Sequence, residues 1–242
     1  MELVQRMADY DFIDIGCSSG GSLAWGARFL GGRGIGVDID PAKVAKARAA
    51  GQEAVQADAT QLDYPDGAFR FALFFDMLEH LPGPDLALRC VKEAYRVSRD
   101  FVLIRGPNFD GEAQLRGIGL KRYYTDWTGH TWHHRASEFQ TIIRKVEPVR
   151  SLIMAHHQIT ESADPDLLPL DAPANQARYN QELHGDKPEV ALPGRIFTRI
   201  VVVLAKDPAV NIHELALQAT GSLLYDVAPD AAARSPQPSA AG

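Results

Sequence analysis

Apolar and polar positions follow two alternating periods along the first half of the chain. Residues 10–15 (Tyr-Asp-Phe-Ile-Asp-Ile) read as a short strand that runs into a turn of small residues. Leu23, Ala27 and Leu30 then recur at helical spacing, and Gly31-Gly32 closes that helix. A second strand runs from Gly34 to Asp38. Asp40-Pro41 follows as N-cap and first helical residue of the next helix, which Gly51 ends. Residues 53–57 predict a third strand, and the almost wholly apolar run Phe69–Phe75 a fourth, covered on both faces. Leu86, Val91, Ala94 and Val97 mark a helix over 85–99, and Phe101–Arg105 is a fifth strand. Strands and helices alternating through short connections specify a parallel, doubly wound α/β sheet.

After Pro107 the alternation stops. Residues 108–135 are rich in Gly, aromatics and His, a short helix is expected over 137–145, and strands near 149–156 and at 196–204. The intervening 160–195 is polar and Pro-rich. Long irregular stretches in a compact domain tend to be binding loops, so 107–135 and 160–195 are expected to be lid segments. The domain is expected to span 1–208. A short helix and a disordered Ala/Pro/Ser tail (227–242) would make up 209–242. Lys121 and Arg122 read as a solvated turn.

Composition narrows the partners. Apolar residues make up 45% and charged residues 23%, ordinary for a folded globular chain. A net charge of −6 argues against general nucleic-acid binding, which needs a basic face. No apolar run reaches the ~20 residues that span a bilayer, and Glu2, Arg6 and Asp9 break any secretory signal at the N-terminus. Cys17 and Cys90, in an expected loop and an expected helix, make no disulfide framework. A cytoplasmic location, with no nucleic-acid or membrane partner, is the resulting expectation.

Candidate chemistry begins at residues 14–21 (Asp-Ile-Gly-Cys-Ser-Ser-Gly-Gly), between the first strand and the first helix. Small residues there let the backbone turn sharply and a ligand approach the main chain. The helix N-terminus beyond offers unpaired N–H groups to an anion. Asp38 ends the second strand, where a carboxylate can accept from both hydroxyls of a ribose. Asp58 follows the third strand, where an acceptor would meet an adenine amino group. Singly, each has a plain structural explanation. Together, at the carboxyl ends of three successive strands, they point to a nucleoside-bearing cofactor.

The ordered series Asp14-x-Gly16-x-x-x-Gly20, Gly36-Val-Asp38-Ile-Asp40, Ala57-Asp58-Ala59 and Phe75-Asp-Met-Leu-Glu-His80 resembles that of class I S-adenosylmethionine-dependent methyltransferases. The likeness is good over roughly residues 10–110 and extends to 205 only in layout. It implies a Rossmann-like, mostly parallel sheet with an antiparallel last strand, and S-adenosylmethionine as cofactor. Asp14, Gly16, Ser18 and Gly20 would hold its methionine part, Asp38 its ribose and Asp58 its adenine, with Phe75 on the same wall. Two positions depart from the family pattern. Ser18 replaces the middle glycine of the turn and needs a compatible φ, and Arg70 stands where an acid is common. An NAD-dependent oxidoreductase is the nearest competitor. Against it, the turn reads Gly-x-Ser-x-Gly-Gly rather than Gly-x-Gly-x-x-Gly, with Asp14 ahead of the first glycine.

Methyl transfer from a sulfonium is a direct displacement, so the protein's tasks are alignment, water exclusion and proton removal. Histidine is the natural base near neutral pH, and His80 and His130 are the catalytic candidates, with His133 and His134 beside them in sequence. Asp76-Met-Leu-Glu79-His80-Leu-Pro82 resembles a loop of ubiquinone-biosynthesis O-methyltransferases in which acids and a His are linked to a divalent metal. The same Leu-Glu-His wording occurs in metal-free relatives, and no metal is assigned. His130 and His133 lack adjacent Cys or carboxylate partners. Trp127 to His134 suits a pocket for a planar or apolar acceptor, or an ordinary loop anchored by its tryptophans. The His156-His157 pair would end a strand with its rings on opposite faces.

The motifs that mark amino-methylation of bases or glutamine (Asn/Asp-Pro-Pro-Tyr) and cytosine-5 methylation (a Pro-Cys loop) do not occur. The expected reaction is therefore methyl transfer to an oxygen or nitrogen of a small molecule. Gly106-Pro107-Asn108-Phe109 and the aromatic stretch after it resemble methyltransferase-like proteins of bacterial methionine biosynthesis, a resemblance that implies assistance to a partner enzyme. A binding or regulatory subunit is thus the alternative. With about ten residues ahead of the first strand, the cover of the site is expected from the inserted segments or from a second subunit, which allows a homodimer.

Overall fold

The computed structural model of the protein describes residues 10–220. The expected tail at 227–242 and the N-terminal residues 1–9 lie outside the described residues. The five expected strands are β1 (Phe12–Ile15), β2 (Gly34–Asp38), β3 (Ala54–Gln56), β4 (Phe69–Phe75) and β5 (Ser98–Pro107). Between them stand α1 (Gly21–Phe29), α2 (Pro41–Ala49) and α3 (Pro84–Val97). Asp40 caps α2 as expected, its Oδ1 accepting the Ala42 N–H at 2.8 Å. β5 begins earlier than the apolar run suggests, because the Ser98 hydroxyl turns back to the Ala94 carbonyl (2.7 Å) and sends the chain straight from helix into strand.

The second half adds α4 (Glu112–Gly117), β6 (Leu120–Arg122), α5 (Ala136–Val146), β7 (Arg150–Ile159), β8 (Leu167–Pro169), α6 (Gln181–His184), β9 (Ile196–Ala205) and α7 (Ile212–Thr220). The main sheet runs β3-β2-β1-β4-β5-β9-β7. β1 is parallel to β2 and β4, and β4 to β5, whereas β9 is antiparallel to both its neighbours. The antiparallel last strand therefore lies inside the sheet, which is why Ile200–Ala205 is a continuous buried run.

Strand alternation divides the core. Ile13, Ile15, Ala72, Phe74, Val102 and Ile104 pack on one face with the apolar sides of α3 and α5. Phe12, Phe71, Leu73, Phe101 and Leu103 pack on the other with Leu23 and Trp25 of α1 and Ile212 and Ala216 of α7. Phe12, Phe71 and Phe101 stack across β1, β4 and β5, with centroids 4.8 and 4.9 Å apart and planes within 5° and 2°. Each such pair adds about 0.5–1.5 kcal/mol beyond area burial. Gly34 stands against this stack, where a Cβ would lie 2.3 Å from the Phe12 ring.

Two expectations fail for identifiable reasons. Lys121 and Arg122 do not form a solvated turn. They lie in β6, paired antiparallel with β8, and are 3% and 0% exposed. Lys121 Nζ reaches Asp126 (2.7 Å) and the Ala172 carbonyl, and Arg122 donates to the Asp110 carbonyl, so neither buried cation lacks an acceptor. The β6–β8 pairing joins segment 107–135 to segment 160–195. The strand expected to end at His156-His157 continues to Ile159. His157, at φ 57°, has no partner in the ladder, while the register holds on either side of it, His156 opposite Arg199 and Gln158 opposite Phe197. Among the described residues no helix is long and apolar enough to cross a membrane.

Candidate functional site

Strand order reverses at β1, which lies between β2 and β4, and the carboxyl ends of these strands form the crevice where open α/β sheets bind ligands. The chain leaves β1 through a turn fixed by main-chain bonds: Gly16 and Cys17 N–H to the Val37 carbonyl (2.8 and 3.0 Å), and Gly20 N–H to the Cys17 carbonyl (2.8 Å). Gly16 has φ 75°, and a Cβ there would lie 2.2 Å from Met77 Cγ, so only glycine lets the β4 exit pass this close. Ser18 does take the left-handed conformation its position demands, at φ 48°, a strain of about 1–2 kcal/mol. Its N–H donates to Asp38 Oδ2 at 3.0 Å, and Asp40 N–H donates to Asp38 Oδ1 at 3.0 Å. Asp38 is thereby pinned at 6% exposure, with further lone pairs on each oxygen.

Two cavities adjoin this turn and share Gly16, Ser18 and Asp76. One, of about 430 Å³, is lined also by Asp38, Ile39, Ala57, Asp58 and His80. Ile39 is a large apolar side chain left 69% exposed. Asp58 Oδ1 accepts from Thr60 N–H and Oγ–H (2.8 Å each), which holds its carboxyl below the ordinary range. The other cavity, of about 400 Å³, is lined by Ser22, Phe75, Arg105 and Arg199 besides the shared residues. Asp14 and Gly20 stand behind the turn instead of on the wall. Asp14 is fully buried, its Oδ2 accepts the Ser22 hydroxyl at 2.6 Å, and burial pushes its carboxyl up to about 7. The sequence candidates Asp14, Gly16, Ser18, Gly20, Asp38, Asp58 and Phe75 thus gather at one sheet edge.

Sequence reasoning missed two arginines. Arg105 Nη2 and Arg199 Nη1 both reach Asp76, at 3.0 and 2.8 Å, and the Arg105 guanidinium lies 4.3 Å from the Phe75 ring centroid. A usable signal was present: each is a lone charge within an otherwise apolar strand run. Arg70, the second departure, is remote from this edge. It sits near the amino end of β4, ion-paired with Asp100 at 3.6 Å.

The histidines separate. His80 closes a single 3-10 turn (Leu78–His80) after β4, and its Nδ1 donates to the Gly129 carbonyl at 2.7 Å. His130 lies beside it, ring centroids 5.2 Å apart, and burial together with His80 pushes it down to about 4. The buried Phe109 is the hub of the aromatic segment: it stacks on His133 at 4.3 Å and meets His134 and Tyr124 edge-on at 5.5 Å. His133 turns away to Glu112 (2.9 Å), and burial lowers His134 to about 3. His156 is lowered to about 4 by burial and by Arg199. Glu79, 2% exposed, is pushed up to about 8 by burial and by Asp76.

Residues 13–101 match a family model described as a methyltransferase domain. Among solved structures, a SAM-dependent methyltransferase from Archaeoglobus fulgidus is similar at 17% identity and a TM-score of 0.56, covering 85% of this chain and 91% of its own. One from Methanosarcina mazei is similar at 15% identity and a TM-score of 0.52, covering 85% and 97%. At such identities the structural likeness is one of fold. A search of curated proteins finds no match.

Proposed function

We propose that this chain is a class I S-adenosylmethionine-dependent methyltransferase that methylates an oxygen or nitrogen of a small molecule, a reading that the methyltransferase-domain match over residues 13–101 supports. The observation that carries the reading is the pair of adjoining cavities around Gly16, Ser18 and Asp76. Their lining suits the cofactor from end to end. Asp38 would take the ribose hydroxyls with the lone pairs its two main-chain contacts leave. Ile39 and Ala57 offer an apolar slot for the adenine ring, with Asp58 beside it for the amino group. Asp76 with Arg105 and Arg199 supplies both signs of charge that an α-ammonium and a carboxylate require, above Phe75. Asp14 acts indirectly, through Ser22.

When bound, S-adenosylmethionine supplies a methyl group on a positively charged sulfur that a nucleophile displaces directly. The residues then have to orient the acceptor, exclude water and take up a proton. Because Nδ1 of His80 is committed to the Gly129 carbonyl, its Nε2 carries the lone pair that can accept that proton. His130, kept neutral by burial, forms the adjacent wall. The segments joined through β6 and β8 would cover the acceptor.

Calorimetric titration with S-adenosylmethionine and S-adenosylhomocysteine, with NAD as control, tests the reading. Binding of both sulfur nucleosides and not of NAD supports it. Failure of both to bind overturns it in favour of a binding or regulatory subunit. Once an acceptor is known, His80→Ala should lower kcat by about 10²–10⁴-fold with cofactor affinity unchanged. Unaltered turnover would remove His80 from the mechanism.

A further inference from the structure

We propose that Glu79, His80 and His130 form a binding site for a divalent transition-metal ion such as zinc. Glu79 and His80 come from the turn after β4, and His130 from the inserted segment fifty residues further on. Each offers one ligand atom, and the three atoms lie within 4.8 Å of one another. Glu79 Oε1 and His80 Nε2 are 4.0 Å apart, too far for a hydrogen bond and close enough for two ligands converging on a shared ion.

Three features make this more than proximity. The Gly129 carbonyl, 2.7 Å from His80 Nδ1, holds the ring in the tautomer whose Nε2 lone pair is on the Glu79 side. Such an outer hydrogen bond to a carbonyl is what metal-bound histidines usually have. Glu79 is 2% exposed, and its Oε2 has no hydrogen-bond partner. The buried Nδ1 of His130 has none either. Buried polar atoms are nearly always satisfied; a cation would take up the Nδ1 lone pair of His130 and balance the buried Glu79 carboxylate. Asp76, the other acid of the turn, is taken up by Arg105 and Arg199 and does not belong to the set.

Two imidazoles and one carboxylate suit zinc or cobalt and not magnesium or calcium, which prefer all-oxygen sites. Bonds of about 2.0–2.1 Å in a tetrahedron put neighbouring ligand atoms roughly 3.3 Å apart. Small shifts would close the remaining distance, His80, 48% exposed, pivoting about its Gly129 contact. His80 lines the 430 Å³ cavity, so the ion would sit beside the cleft. A bound ion would occupy the Nε2 lone pair that His80 needs to accept a proton, so the metal-bound and the proton-accepting forms of His80 are alternatives. Only this last point rests on the methyl-transfer reading.

Metal-stripped full-length protein, with no cofactor or acceptor, is titrated with Zn²⁺ by calorimetry and with Co²⁺ by visible absorption. The expected result is one equivalent bound at micromolar or tighter affinity, with the absorption bands of a four-coordinate cobalt site. Glu79→Gln and His130→Ala should each weaken binding by roughly tenfold or more, and His213→Ala, on the exposed side of α7, should not. Circular dichroism checks that the variants fold. If Glu79→Gln does not, His130→Ala, at a partly exposed loop position, decides. Zinc binding no tighter than millimolar, or unchanged in His130→Ala, overturns the proposal. Separate titration with S-adenosylhomocysteine keeps its failure distinct from failure of the methyltransferase reading.

Discussion

Replacing Asp38 by Asn conserves volume and removes one acceptor oxygen. Asp38 receives the Ser18 and Asp40 N–H groups on different oxygens, both at 3.0 Å. The amide –NH₂ must therefore face one of the two donors. One hydrogen bond to a charged, 6% exposed carboxylate is lost, worth about 1.5–3 kcal/mol. For a chain this long, each kcal/mol shifts Tm by roughly 2–4 °C, so the ligand-free variant should melt about 3–12 °C below wild type. If Asp38 also binds the ribose, S-adenosylhomocysteine should bind more weakly by a further ~1–3 kcal/mol, roughly five- to 150-fold. Scanning calorimetry of the free protein and titration with the nucleoside separate the two effects. A lowered Tm with unchanged affinity would make Asp38 a brace for the Ser18 turn and refute the ribose assignment. An unchanged Tm would refute the hydrogen-bond reasoning itself.

Asp14 makes stability pH-dependent. Its folded carboxyl titrates at about 7, raised mainly by burial from 3.8, so between those values the unfolded chain holds fewer protons and stability falls as pH rises. The loss is complete above about pH 7 and amounts to a few kcal/mol. Urea unfolding at pH 5.5 and 8 should show it, and Asp14→Asn should flatten it; an equal slope in the variant would contradict the assignment. Phe71→Ala should destabilise the protein by about 3–5 kcal/mol without changing nucleoside affinity, because Phe71 lies in the middle ring of the stack and four residues before Phe75. Weakened binding in a folded variant would show that the stack supports the site.

β2 and β4 were readable to the residue because both are buried strands bounded by turn and cap residues whose chemistry is local: Asp40-Pro41 after one, Gly67 before the other. The turn from Gly16 to Gly20 was readable for the same reason. What stayed hidden depends on distant partners. Lys121 and Arg122 look solvated until Asp126, Asp110 and Ala172 are seen to receive them. β6 finds β8 across more than forty residues. His157 leaves the ladder at a position no periodicity marks. Arg105 and Arg199 acquire meaning only when β5 and β9 bring both to Asp76. His130 meets His80 because Thr131 and Trp132 N–H bond to the Glu79 carbonyl (2.9 and 3.1 Å), a tether the sequence does not encode locally.

The Phe12–Phe71–Phe101 stack lies toward the opposite ends of the strands from the cleft. The residues that keep the sheet folded and those that meet ligands are therefore different sets, spaced along the same strands. On the proposed function, a lineage carrying this arrangement can change the exposed positions of segments 107–135 and 160–195, and try new acceptors, while the fold remains intact. Evolutionary latitude is in this way allotted to one edge of the sheet, and constraint to the other.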